Sequence, residues 1–600
     1  MRRIRVNLLA LMTTVTTSAI AAPTIHFEVS FKEPQAHYAE VKMEISGLNN
    51  DYIDVKMPVW TPGSYLVREY AKHVEGVEAC NADGDHLAVE KIDKNTWRIQ
   101  SDKAKKVTFS YRIYGFEVSV RTNFIDDSHA FLSSAATFMY VDGMLDHAAE
   151  VTVIPHANWS KISTGLEAVA GQPNTFRAED FDTLFDSPIE VGNQDVITFE
   201  AAGVHHEIAM VGGGNYDKER LKTDCAAIVE KATAVFGTNP NKRYVFIVHN
   251  YQSGGGGLEH LNSTVLGASR NGYQAERSYV GFLGLVAHEY FHLWHVKRLR
   301  PRELGPFDYD KENYTSALWI MEGFTAYYDN LLLRRCGFLD ETNYLQALAS
   351  DVSAVENRPG KDAQSVASAS FDAWIKYYRP NENSANTSVS YYNKGALMGM
   401  LLDLKILAAT NGEKRLDDVL RAAYEQFYVK EKRGFELPEF QSLIEQVAGT
   451  SVADLFEAAH AVGPLDYNQY LHAVGYELVD YNKGLALPDI GFSTSTHDGR
   501  VMVTGVTRGT GAWDGGINVR DEILAINGER LDAQGRELTR LMQSAAIGDQ
   551  LDVLIARDGK IRELSITLTE STKGSFGIVP MQTASPAQER LGRIWLSKVD

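Results

Sequence analysis

One pentapeptide, His288-Glu289-Tyr290-Phe291-His292, constrains this chain more than any other segment. Two imidazoles four residues apart share a face on a helix, about 6 Å apart along the axis. From there both rings reach one Zn²⁺ at ~2.0–2.1 Å. Glu289 follows the first histidine, so it points beside the metal, where a general base for the metal's water belongs. The flanks, Gly-Phe-Leu-Gly-Leu-Val-Ala before and Leu-Trp after, are apolar. A surface helix that merely carries two histidines would not need them, and an unpaired His-Glu-His cluster in a core is costly. The pattern predicts a buried, metal-binding helix over 278–299.

Zinc needs a third protein ligand. The extended metzincin motif would put glycine at position 295 and histidine at 298, but the chain has His295 and Arg298. The better candidate is Glu322, thirty residues after His292, in Trp319-Ile320-Met321-Glu322-Gly323-Phe324. That spacing leaves room for a loop and an antiparallel return, and a glutamate in such apolar company is rarely unpaired. One Zn²⁺ per chain on His288, His292 and Glu322 is the expectation. His295, a turn beyond His292, is read as packing on or orienting the ligands rather than binding metal.

Two more segments bear on chemistry. A predicted strand over 244–249 runs into Gly254–Gly257 and then Leu258-Glu259-His260. Glycines there, Gly256 and Gly257 above all, let a substrate backbone approach an edge strand. Glu259 can then pair with a substrate's free α-amino group. Tyr391-Tyr392-Asn393-Lys394-Gly395 opens a predicted helix. A phenol near the metal can donate to the oxyanion of a tetrahedral intermediate. Tyrosine alone is weak evidence, since the chain has 28.

Taken together, HEYFH, WIMEGFTAYY, GGGGLEHLNST and YYNKG resemble the glycyl aminopeptidase family, PDZ-containing relatives of the thermolysin-like zinc peptidases. MPVWTPGSYLVREYAKHV and SFDAWIKYYRPNENSANTSVSYYNKGAL extend the likeness over nearly the whole chain. The resemblance implies zinc ligands at His288, His292 and Glu322 and a catalytic Glu289. In the related aminopeptidase N group a Tyr-x-Lys-Gly motif supplies the oxyanion tyrosine, which selects Tyr392 over Tyr391. That group's Gly-x-x-Glu-Asn motif, which binds the substrate's amino terminus, is matched loosely by GGLEH, with His260 in place of asparagine. His295 also departs from the family's usual asparagine. The resemblance further implies small N-terminal residues, Gly and Ala, as the preferred substrates.

At ~100–200 residues per domain, 600 residues make several domains. Residues 22–200 alternate with period two, as in Ile25, Phe27, Val29 and Phe31, and predict an N-terminal antiparallel β domain. Residues 201–480 are mainly helical and form the thermolysin-like peptidase domain. Residues 486–570 resemble a PDZ domain, most specifically in Asp521-Glu-Ile-Leu-Ala-Ile-Asn-Gly528. There Ile490, Gly491 and Phe492 stand where a PDZ domain holds a peptide's C-terminal carboxylate. The more usual Ser-Pro-Ala pattern is replaced by Gly511-Ala-Trp-Asp-Gly, so a purely structural lid is the rival reading. Residues 571–600 are a C-terminal extension. The fold class is multidomain α+β.

The chain opens with Arg2, Arg3 and Arg5, a short apolar stretch, and Ala19-Ile20-Ala21. This predicts a signal peptide over 1–21 rather than a membrane anchor, because the stretch is short and rich in threonine. No cysteine stands directly after the cut, so no lipid anchor is expected. The reading is an exported protein, periplasmic or secreted. A formal charge of −19 disfavours nucleic acid. Three cysteines exclude a disulfide framework. The expected partners are peptides with a free N-terminus, and peptide C-termini at the PDZ module. The expected function is a zinc aminopeptidase with Glu289 as base and Tyr392 as oxyanion donor. Its rivals are a zinc endopeptidase on the same site and an inactive PDZ adaptor.

Overall fold

The structure, a computed structural model, describes residues 23–532 and 534–597. The expected signal peptide lies outside them. The period-two segments at the start form strands. Thr24–Ser30 and Tyr38–Ser46 pair antiparallel, and Lys106–Tyr114 continues the ladder. One pairing departs from the antiparallel expectation: Thr24–Ser30 runs parallel to Ala149–Ile154. The alternation buries Phe27, Val29, Val41 and Phe109 on one face.

The catalytic domain begins with a five-stranded sheet. Its spatial order is Asp195–Ala201, Val204–Val211, Arg243–Tyr251, Ser263–Ser269 and Gly257–Glu259. Asp195–Ala201 begins within the stretch assigned above to the N-terminal domain, because its alternation resembles that of the strands before it. Arg243–Tyr251 has parallel neighbours on both sides. It is buried along nearly its whole length, hence the unbroken apolar run Tyr244-Val-Phe-Ile-Val. Gly257–Glu259 is the edge strand.

Three long helices carry the remaining site residues: Glu276–Phe291, Leu318–Cys336 and Tyr391–Ala409. The first stops eight residues short of its predicted end at 299. Val296 takes a φ of 106° and the chain turns, so His295 is not one turn further along the helix. The second and third helices cross at Gly323 and Gly395. A Cβ on either glycine would collide with the other helix's backbone. That close crossing brings Glu322 and Tyr392 toward the same cavity.

Between the two domains, His129 Nδ1 and His249 Nε2 each bond one oxygen of Glu190, at 2.8 and 2.9 Å. Glu190 is fully buried, so the two imidazoles satisfy an otherwise costly carboxylate.

Residues 488–568 build the PDZ fold around Phe492, Val503, Ile523, Val553 and Ile555. The chain then returns. Phe576–Pro580 pairs antiparallel with Tyr476–Asp480, the strand that precedes the module. The last helix, Pro586–Trp595, packs on the catalytic domain. Trp595 is completely buried and donates from Nε1 to the Tyr327 hydroxyl, which donates in turn to Asp403. The expected extension is thus part of the catalytic domain's packing. Among the described residues no helix is long and apolar enough to cross a membrane. Cys80, Cys225 and Cys336 are all free.

Candidate active site

His288, His292 and Glu322 converge. His292 Nε2 lies 3.2 Å from Glu322 Oε2 and 3.2 Å from His288 Nε2, and His288 Nε2 lies 3.7 Å from the same carboxylate oxygen. Ligands at ~2.0–2.1 Å in a tetrahedron stand ~3.3 Å apart, so the spacing suits Zn²⁺. The protonation pattern points the same way. His292 Nδ1 donates to the backbone carbonyl of His295 at 2.6 Å, and His288 Nδ1 donates to Asp329 Oδ2 at 3.2 Å. In the neutral rings both Nε2 atoms then carry lone pairs that face each other and a carboxylate. Without a cation between them that arrangement is repulsive, so the donor set fits a metal. Burial would raise the Glu322 carboxyl, but with a proton on the rings in place of a metal the His292 charge and the hydrogen bonds from both imidazoles outweigh it and hold the group low.

A second group of ligating type, His129, Glu190 and His249, is also brought together. Its 2.8 and 2.9 Å contacts are hydrogen-bond distances, shorter than the spacing of the first set. We read it as a clamp.

Glu289 is buried beside His288 and His292 with Oε2 unpartnered. Burial pushes its carboxyl up to about 7, against the pull of His288. A bound cation would lower that value. Gly257 lies directly against this carboxylate, where any side chain would collide with it. Two residues along the edge strand, Glu259 is buried with Oε1 unpartnered. Both carboxylates line one cavity of about 500 Å³, with Gly256, Gly257, His288, His292, Glu322 and Tyr392.

The two tyrosines separate cleanly. Tyr391 is fully buried and its hydroxyl has no partner. Tyr392 lines the cavity, and burial followed by the Glu322 charge keeps its phenol protonated. Lys394 of the same motif turns away and donates to Gly463. His260 also faces away from the cavity and meets Asp186 of the N-terminal domain at 3.0 Å. The asparagine-to-histidine departure thus falls on an interdomain contact. His295 contributes its carbonyl to His292, while its ring meets Thr325 and is held neutral by burial, down to about 3.

Sequence reasoning missed three residues. Asp329 lies two turns after Glu322 on one helix, and that spacing was a usable signal. Arg121 and Gly63 come from the N-terminal domain with no local signal. Arg121 Nη2 donates to the Gly257 carbonyl at 3.0 Å. In the PDZ module, Gly491 takes a φ of 78° and packs on Thr510. Its amide already donates to Asp489 Oδ1 at 3.0 Å. Ile490 and Phe492 are largely buried.

Three family models match the chain: the peptidase M61 N-terminal domain over 26–193, the M61 glycyl aminopeptidase over 281–398 and a PDZ domain over 488–568. A crystal structure of an aminopeptidase N family protein from Idiomarina loihiensis is 30% identical. The match covers 96% of this chain and 100% of that one, with a TM-score of 0.89. The chain belongs to the glycyl aminopeptidase family. It is a metallo-aminopeptidase, a hydrolase of peptide bonds. More distant is an M1 zinc metallopeptidase from Deinococcus radiodurans, 14% identical over 74% of this chain and 96% of that one, TM-score 0.43. Yeast LTA4 hydrolase is 11% identical over 74% and 70%, TM-score 0.44. No curated protein sequence matches.

Proposed function

We propose that this glycyl aminopeptidase family member is an exported zinc enzyme that releases small N-terminal residues from peptides. His288, His292 and Glu322 hold the metal. When bound, Zn²⁺ polarises the scissile carbonyl and acidifies a water. Glu289 takes the proton from that water and hands it to the leaving amine. Tyr392, protonated at working pH, donates to the oxyanion. Asp329 and the His295 carbonyl fix the tautomers of the two rings.

The observation that carries the exopeptidase reading is the buried, unpartnered Glu259 carboxylate in the same cavity as Glu289. A free α-amine, cationic at neutral pH, would satisfy it. Gly63, Arg121 and Tyr392 also line the cavity, and the preference for Gly and Ala rests on the match to the glycyl aminopeptidase family model. Export rests on the arginine-led opening that ends in Ala19-Ile20-Ala21.

The test compares Gly- and Ala-aminoacyl reporters with their N-acetyl forms. Charge-assisted pairing is worth ~1.5–3 kcal/mol, or ~10–150-fold. Glu259→Ala should lower kcat/KM by that order, and acetylation should cost the wild type a similar amount. The mutant should barely respond to acetylation, because both changes delete one ion pair. Internal cleavage of acetylated peptides at the rate of free ones would replace this reading with a zinc endopeptidase.

A further inference from the structure

A second chamber of about 290 Å³ adjoins the catalytic cavity at Gly256. Gly256, Gly281 and Leu285 line both spaces. Two of the residues at this boundary are glycines. A Cβ on Gly255 or Gly281 would meet nothing within 4 Å. The floor must be glycine: a Cβ on Gly254 or Gly267 would strike the facing backbone. Tyr273 and Phe282 form an aromatic wall, their rings 5.2 Å apart and tilted by 68°.

The edge strand gives the direction. The carbonyls of Gly256 and Leu258 turn inward, to the Gly267 amide and the Thr264 hydroxyl. Gly257 presents its carbonyl on the free edge, where Arg121 reaches it. A peptide laid antiparallel on this edge with its amine at Glu259 passes Gly257 and Glu289, then Gly256. Three residues at ~3.3 Å each carry it about 10 Å. Its third or fourth residue then stands at the chamber mouth.

We propose that this chamber is a subsite for the third or fourth residue of the substrate and that it selects apolar, above all aromatic, side chains there. The proposal rests on the aminopeptidase reading, since residues are counted from an amine at Glu259. It makes the enzyme one for oligopeptides, small at the residue released and demanding further along.

The experiment uses the full chain and tetrapeptides that begin with Ala, with Gly or Phe at the third or fourth position. An Ala-aminoacyl reporter is the control. Wild-type kcat/KM should rise roughly tenfold with Phe over Gly at one of those positions, as a hydrophobic pocket gives. Two variants remove the subsite from different sides. Ser278→Trp fills the chamber from an exposed position, and Phe282→Ala removes the wall. Neither residue lines the catalytic cavity. Both variants should lose the Phe preference and keep reporter turnover within about twofold. No Phe preference in wild type, with N-terminal release intact, overturns the subsite alone. Equal losses on reporter and peptide in both variants also overturn it. Internal cleavage of acetylated tetrapeptides at full rate overturns the aminopeptidase reading, and the subsite with it.

Discussion

Gly63 of the N-terminal domain lies against the carboxylate of Glu259. Its φ is 86°, and a Cβ there would collide with both carboxylate oxygens. The loop MPVWTPGSYL thus bounds the Glu259 end of the cavity from another domain. Gly63→Ala should displace Glu259 and lower kcat/KM on free-amine reporters by roughly tenfold or more, within the span of a lost charge-assisted bond. Combined with Glu259→Ala it should add little, since both act on one carboxylate. Steady-state kinetics of the double-mutant cycle would check this, and additive losses would rule it out.

The ligands' supports make a separate prediction. Asp329 accepts from His288 Nδ1 and so turns Nε2 toward His292 and Glu322. Asp329→Asn should weaken zinc binding 10–100-fold, with kcat largely restored at saturating zinc. His292→Ala should bind no zinc at this site. Elemental analysis and chelator competition give both answers, and equal metal content in wild type and His292→Ala would remove that ligand.

Neighbouring tyrosines should respond in opposite ways. Tyr392→Phe should lower kcat by ~10²–10³ with little change in KM. Tyr391→Phe removes a buried hydroxyl that has no partner. It should leave activity intact and be neutral or mildly stabilising. The reverse pattern would show that the motif register is off by one.

The Glu190 clamp carries a pH dependence. Burial would lower His129, but the Glu190 charge and hydrogen bond raise it above the ordinary 6.5. Burial would raise Glu190, but His129 and His249 hold it below the ordinary 4.5. His129's contribution is full below 6.5 and is lost as pH rises through its raised value. Glu190's is full above 4.5 and is lost as pH falls through its depressed value. The clamp is therefore strongest between 4.5 and 6.5. The Tm difference between wild type and Glu190→Gln should shrink as pH rises from about 6 to 9. A flat or growing difference would dismiss the clamp.

The meeting of His288, Glu289 and His292 was legible because the chemistry expected of them needs a fixed local spacing, and a helix supplies it. The crossing of Gly323 and Gly395 was not, although both glycines sit in quoted motifs. It takes two helices to show why neither can carry a side chain. Gly63 and Arg121 were illegible for the same reason, since their partners are nearly two hundred and more than a hundred residues away. The helix end at Phe291 was hidden because the apolar pattern runs on through Leu293 and Trp294, which stay buried after the chain has turned.

Position in the chain also hid the role of the last helix, and that changes how the PDZ module must be tested. Truncation from about residue 485 removes Trp595 and the strand Phe576–Pro580 along with the module. Losing one buried tryptophan alone costs ~3–5 kcal/mol, so such a truncation should unfold early and report stability rather than function. Asp480 and Phe576 are neighbours in one ladder, which allows a cleaner excision. Replacing 481–575 by an Asn-Gly turn closes a hairpin and keeps the final helix. Another hold on the module is Asn386, which donates to the Val506 carbonyl and accepts from the Arg508 amide, five residues before Tyr391. If the module only recruits peptides, the excised protein should bind zinc and turn over aminoacyl reporters within a few-fold of wild type. Its kcat/KM should fall only on peptides that engage the module. Circular dichroism, metal analysis and reporter kinetics on the same sample decide the matter. A folded, zinc-loaded and inactive excision would show that the module holds the segment before Tyr392 in place, and the recruiting role would be discarded.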